Sequence, residues 1–260
     1  MIQRKGAAGL GWLAALLLVL TGCVQTSEIP GHATGPTTML PYRAVLVAGS
    51  DDTQAFDNAV ARMRAWLLET EGAQPAAISA FSATPAVAGQ NGIGRADATA
   101  VMRRIANLRP DSGEGCFVFV TSHGVPERGV AMTASRQTIG PEVLHSALRA
   151  GCGDRPTVVI VSGCFSGLFA QPPMRQDNRI ILTAARMDRP SFGCGASDRY
   201  TYFDECLFDS LSTGPRWSDI YRATSACVSY KEAQQKVPPS MPQAWFGAVD
   251  ATVVAPSVRR

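Results

Sequence analysis

Apolar residues follow two rhythms along this chain. Short unbroken runs, such as Cys116-Phe117-Val118-Phe119-Val120 and Val158-Val159-Ile160-Val161, suit strands buried on both faces of a sheet. Between such runs, apolar positions recur at helical spacing, as at Phe56, Val60, Met63, Leu67 and Leu68. The pattern predicts strands at 42–49, at 76–81 (the weakest), within the runs 116–124 and 157–167, at 179–184 and at 245–249. Helices are expected at 52–70, 97–108, 141–150, 202–211 and 217–235, with Asp97 capping the second and Pro141 opening the third. An excursion through Met132-Thr133-Ala134 follows the third strand. Strand and helix alternate without internal repeats. The expected fold is therefore one α/β domain over 42–260, a doubly wound, mostly parallel six-stranded sheet with helices on both faces.

The first 22 residues read as a targeting signal. Arg4 and Lys5 precede an uncharged, mostly apolar run, Gly6 to Leu20, that is short for a membrane span. The run closes on Leu20-Thr21-Gly22-Cys23, which resembles the bacterial lipobox, whose cysteine is diacylated and becomes the new N-terminus. Residues 1–22 are thus expected to be a lipoprotein signal peptide and Cys23 the lipidated anchor, holding the protein on a membrane. Val24 stands where an aspartate would retain a lipoprotein at the inner membrane, so the outer membrane, facing the periplasm, is the expected location. Residues 23–41, with prolines at 30, 36 and 41, read as a membrane-proximal linker.

Composition narrows the class. Of 260 residues, 46% are hydrophobic and 17% charged, which describes a globular protein with ample core. A formal charge of +3 with no basic run before the terminus gives no reason to expect nucleic acid as a partner. Beyond Cys23 there are six cysteines, in what would be a disulfide-permissive compartment. Cys116 opens one predicted strand and Cys152 shortly precedes the next, so both lie near the amino-terminal edge of the sheet. Cys116–Cys152 is the expected bridge. The pairing of Cys194, Cys206 and Cys227 stays open. No cysteine or histidine spacing suits zinc, and neither metal nor organic cofactor is expected.

Two of the apolar runs end on chemistry. One closes as Thr121-Ser122-His123-Gly124, the other as Ser162-Gly163-Cys164-Phe165-Ser166-Gly167. Ligands of parallel sheets bind just beyond the carboxyl ends of the strands. If the two strands are neighbours, an imidazole and a thiol stand side by side at that edge, the minimum equipment for thiol nucleophilic catalysis. The amides of Gly124 and Cys164 are placed to form an oxyanion hole.

With these motifs the chain resembles the legumain-like cysteine peptidases of the caspase-like superfamily, which include asparaginyl endopeptidase and the glycosylphosphatidylinositol transamidase. Four stretches carry the resemblance: Val47-Ala48-Gly49-Ser50, Phe119 to Gly124, Val161 to Gly167, and Thr183-Ala184-Ala185 followed by Ser191-Phe192. The resemblance spans residues 42–249 and is closest to the bacterial members. It implies a caspase-like sheet and a dyad in which Cys164 attacks a peptide carbonyl. His123 would protonate the leaving amine, then activate the water or amine that resolves the thioester. The expected function is therefore a membrane-anchored cysteine endopeptidase or transpeptidase acting on a peptide or protein.

Departures from the family pattern affect specificity. Gly163 stands where legumains carry an acidic residue, and 50–58 lacks their Arg-His pair, so asparagine specificity is not implied. The expected substrate-binding residues are Asp51, Ser162, Gly163, Asp204 and Arg186. Asp204 matches the family's pocket aspartate, with a helix N-cap as the other reading. Arg189 and Asp188 belong either to the cleft or to a solvated loop. Ser166 is read as a turn hydroxyl because G-x-S-x-G is absent. His145 is expected on a helix surface and His32 in the linker. Two other functions stay open: a catalytically inactive binding module, and a thiol-dependent acyl or amide hydrolase on the same fold.

Overall fold

The structure, a computed structural model, describes residues 38–70 and 77–256. The expected signal peptide, Cys23, His32 and the linker up to residue 37 lie outside the described residues. Among the described residues, no helix is long and apolar enough to cross a membrane.

The elements begin with β1 (Thr38–Met39), β2 (Tyr42–Ala48), α1 (Gln54–Glu69), β3 (Ile78–Ser82), β4 (Gly94–Arg95) and α2 (Ala98–Ala106). Next come β5 (Gly115–Thr121), β6 (Gly124–Val125), β7 (Gly129–Met132), β8 (Gln137–Ile139) and α3 (Pro141–Cys152). Then follow β9 (Thr157–Ser162), β10 (Arg179–Thr183), α4 (Tyr202–Ser210), α5 (Trp217–Gln235), β11 (Gln243–Phe246) and β12 (Val253–Val254). Local chemistry sets several boundaries. Thr53 caps α1 by accepting from the Ala55 N–H, and Asp97 caps α2 by accepting from Ala100. Pro141 occupies the first turn of α3.

The central sheet runs β11-β10-β9-β5-β2-β3-β4, parallel except for β11. Alternate side chains face opposite layers. Leu46, Phe119 and Ile160 pack with Phe56 and Met63 of α1 and with Trp217 of α5. Val47, Val118 and Val159 pack with Val101 and Ile105 of α2 and Leu148 of α3. Both faces of β5 and β9 are therefore buried, which accounts for their unbroken apolar runs. This is the doubly wound α/β architecture.

Four details differ from the sequence expectation. The sheet has seven strands, not six, because the two-residue β4 extends its edge beside β3. The last strand of the central sheet is Gln243–Phe246; Ala248 and Val249, expected as its end, open a 3-10 turn over Ala248–Ala251. Thr38–Met39, assigned to the linker, pairs in parallel with Val253–Val254, so the domain begins before residue 42. The excursion after β5 folds as a separate antiparallel sheet, β6-β7-β8.

Candidate active site

Strands β5 and β9 are parallel neighbours, in register from Cys116–Thr157 to Thr121–Ser162. The Ser122 N–H extends the ladder to the Ser162 carbonyl at 3.0 Å. The next residues on the two strands are His123-Gly124 and Gly163-Cys164, on adjoining turns. The turns interlock so closely that a Cβ on Gly124 would stand 1.6 Å from the Cys164 carbonyl oxygen. A Cβ on Gly163 would stand 2.5 Å from the carbonyl oxygen of Ser122. Both positions need glycine for space. Phe165, immediately after the cysteine, adopts a left-handed conformation (φ 58°) that turns the chain away from the strand axis.

His123 is held from several sides. Its Nε2 lies 2.6 Å from Asp52 Oδ2, and Asp52 in turn accepts from Ser50 Oγ at 2.9 Å. Phe56 meets the imidazole edge-on, centroids 5.2 Å apart. The Cys194 thiol is a further hydrogen-bond partner of the ring. That contact is the largest influence on the imidazole. Together with Asp52 it outweighs partial burial and raises the His123 pKa to about 9. Partial burial pushes Asp52 upward, yet the hydrogen bonds from Ser50 and His123 outweigh it and hold the carboxylate below its ordinary range.

Cys164 is half-buried and not disulfide-bonded. The Ser191 N–H donates to its sulfur at 3.3 Å, and the Ser191 hydroxyl lies at 3.8 Å. A single segment after β10 thus brings Ser191 to Cys164 and Cys194 to His123. The turn between them carries Gly193 at φ +88°, a conformation that favours glycine.

This geometry agrees with what the chain is similar to. Residues 93–252 match the Peptidase C13 family, a legumain family of cysteine peptidases. The chain belongs to the Peptidase C13 family. Among solved structures, caspase-1 from Spodoptera frugiperda shares the fold, with a TM-score of 0.55 and 12% identity over 82% of this chain and 88% of that one. Among curated proteins nothing matches. This member of the Peptidase C13 family is a cysteine-type endopeptidase with a caspase-like fold.

The remaining expected site residues fall in different places. Asp51 is exposed beside the site, accepting from Thr133 Oγ1 at 2.8 Å. Ser162 and Gly163 are buried at the end of β9. Asp204 neither lines an open pocket nor caps α4. Thr201 is the cap, accepting from the Asp204 N–H at 3.0 Å, and the Asp204 side chain is 0% exposed. It accepts from Thr121 Oγ1 at 2.8 Å and from Ser162, tying together the ends of both catalytic strands. Burial raises its pKa to about 6, and its Oδ1 has no partner. Arg186 stands at the same edge of the sheet, clamped by Asp188 at 2.5 and 2.7 Å. Ser166 is buried and accepts from the Ala185 N–H at 3.2 Å, a turn-holding role. His145 accepts from the buried Arg179, far from this edge, at 3.0 Å.

Cys116 and Cys152 form one disulfide, and Cys206 and Cys227 a second. Among the described residues, Cys164 and Cys194 are the free thiols. No cluster of three or more His, Cys, Asp or Glu that could hold a metal occurs among the described residues. Reading the sequence missed two partners of His123, namely Asp52 and Cys194. Cysteine parity gave a signal for the second: two bridges and one nucleophile leave one thiol over, in the loop that follows β10.

Proposed function

We propose that Cys164 is the nucleophile of this peptidase and His123 its acid–base partner, oriented by Asp52. The observation that carries the reading is the interlocking of the His123-Gly124 and Gly163-Cys164 turns at the ends of two paired strands. Its raised pKa keeps His123 protonated at neutral pH, so the imidazolium is ready to deliver a proton to a leaving amine. Cys164, as thiolate, attacks the peptide carbonyl; the Gly124 and Cys164 amides receive the oxyanion; the amine departs with the proton of His123. The neutral imidazole then takes a proton from water, or from an acceptor amine, as it attacks the thioester. Hydrolysis or transpeptidation results according to which nucleophile enters.

The cut position is expected to disfavour aspartate. A buried carboxylate is costly without a cation. Asp51 and Asp52 are the charges nearest His123 and Thr133, and Arg186 is already engaged by Asp188. For the whole chain we propose lipidation at Cys23 and a place on the outer membrane facing the periplasm, supported by the basic, apolar and four-residue segments in order. A peptidyl electrophile that alkylates thiols tests the catalytic reading. It should label wild-type protein at Cys164 and fail to label Cys164→Ala there, with cleavage lost in parallel. Full cleavage by Cys164→Ala would overturn it.

A further inference from the structure

The Peptidase C13 family accounts for the dyad but not for an apolar surface beside it. Met187 and Met241 are large hydrophobic side chains left exposed, at 48% and 41%, and both sit at the catalytic edge of the sheet. Met187 follows β10, and its backbone N lies against Gly167, three residues past Cys164; a Cβ on Gly167 would stand 2.6 Å from it. The Arg189 carbonyl, two residues further on, accepts from the Phe165 N–H at 2.8 Å. Met187 therefore lies on a turn that is packed against and hydrogen-bonded to the one presenting the nucleophile.

Met241 is brought to this place by a rigid segment. Pro238, Pro239 and Pro242 restrict the chain between α5 and β11. Buried Ser240 donates its N–H to buried Glu232 at 3.0 Å. Two bonds lash the segment to the 186–189 turn: Arg186 N–H to the Ser240 carbonyl (2.9 Å) and Arg189 Nη1 to the Pro239 carbonyl (3.0 Å). Met241 itself adopts a left-handed backbone (φ 57°), which residues bearing side chains seldom do. Its Sδ lies 3.6 Å from Arg186 Nη1, over the stem that leads into Met187. A surface position that is strained, anchored from beneath and apolar is an unusual way to leave a methionine in water.

We infer that Met187 and Met241 form an apolar subsite that receives an aliphatic or aromatic side chain of the substrate peptide, at a position flanking the cut bond. The inference rests on the peptidase reading above and adds the class of substrate. Two unbranched, polarizable thioethers adapt to side chains of different shape, so the subsite selects for apolarity over one residue type. The Arg186–Asp188 ion pair flanks Met187 in sequence, and Arg186 Nη1 also reaches Met241 Sδ, so one polar pair adjoins both methionines.

The test compares matched peptides that wild-type enzyme cuts, carrying Leu, Phe, Ser or Glu at each position around the scissile bond. Wild-type enzyme should prefer Leu and Phe at one flanking position. In Met187→Ser/Met241→Ser that apolar-to-polar ratio of kcat/KM should fall about tenfold, mainly through KM. Met187→Leu/Met241→Leu should restore it. Thermal midpoints of both variants should match wild type, since the changed side chains are exposed. An unchanged ratio in the double serine variant, or no apolar preference at any flanking position in wild type, would overturn the subsite. The nucleophile assignment is decided separately, by loss of cleavage in Cys164→Ala, so failure of either reading is visible without the other.

Discussion

Asp52 Oδ2 and His123 Nε2 meet at 2.6 Å, joining the turn after β2 to the turn after β5. The order of the sheet makes this contact possible: α1 leaves β2 toward one face while α2 feeds β5 from the other, so the two turns open a crevice between them. Asp52, its pKa held below the ordinary range, is an anion at neutral pH; it orients the imidazole and, with the larger Cys194 contact, raises its pKa.

Removing that anion should therefore change protonation before it changes fold. In Asp52→Ala the His123 pKa, now about 9, should fall toward the ordinary value of about 6.5, read by the imidazole proton shifts in NMR. The alkaline limb of kcat/KM should move to lower pH with it. The loss at neutral pH should stay below the roughly 10²–10⁴-fold that an acid–base group supplies by itself, because His123 remains present. An unmoved alkaline limb would show that Cys194 alone sets the imidazole charge.

Cys194 raises a sharper question, since its thiol, like that of Cys164, adjoins the catalytic centre. Cys164 lies on the turn interlocked with Gly124, where two amides can converge on a carbonyl; Cys194 lies on the covering loop. Cys194→Ser is expected to keep most of kcat while moving the alkaline limb to lower pH at least as far as Asp52→Ala does, whereas Cys164→Ala loses nearly all cleavage. Peptide mapping after alkylation by a peptidyl electrophile should find the adduct on Cys164. An adduct on Cys194, with activity lost in Cys194→Ser, would transfer the nucleophile to the loop.

Much of this frame was legible in the residue pattern for a simple reason. Strands buried on both faces leave unbroken apolar runs, and β5 and β9 are the clearest in the chain; their ends carry His123 and Cys164. Helix α5 was readable to its ends, Trp217 and Gln235, although its apolar face is narrow. What escaped was set by register and turn geometry. Nothing local tells whether Asp51 or Asp52 faces the imidazole, because their partners, Thr133 and His123, are 82 and 71 residues away. The family resemblance makes Asp204 a pocket aspartate, yet it bridges two strand ends inside the core. The pair of β1 and β12 has two residues on each side, too few to leave a pattern.

The Cys116–Cys152 bridge fastens the start of β5 to the end of α3, and so holds the strand that carries His123 against its covering helix. It closes 36 positions of chain. Cross-linking a loop of that size restricts the unfolded chain by about 4 kcal/mol. Cys116→Ala/Cys152→Ala should therefore lower the urea midpoint markedly while leaving the residual folded enzyme able to react at Cys164. Equal midpoints for variant and wild type under non-reducing conditions would mean that the bridge contributes nothing to stability.

Asp204 makes stability depend on pH in a direction opposite to ordinary acid denaturation. Its folded pKa, about 6, lies above the unfolded value of 3.8, so folding favours the protonated form. That contribution is fully present below the unfolded pKa and is lost as pH rises through the folded one. The window is about pH 4 to 6.5, and the full swing is on the order of 3 kcal/mol for a group with no solvent exposure. Asp52, Glu114 and Asp188, whose pKa values are lowered, lose their contributions only at more acid pH, so the two effects separate. Asp204→Asn keeps an acceptor for Thr121 and cannot ionise. Relative to wild type, the variant should gain stability steadily between pH 4 and 6.5 in urea unfolding series, then hold a constant difference. Parallel curves across that range would show that the carboxyl is already ionised at pH 4, and that Thr121 and Ser162 meet its burial cost without a proton.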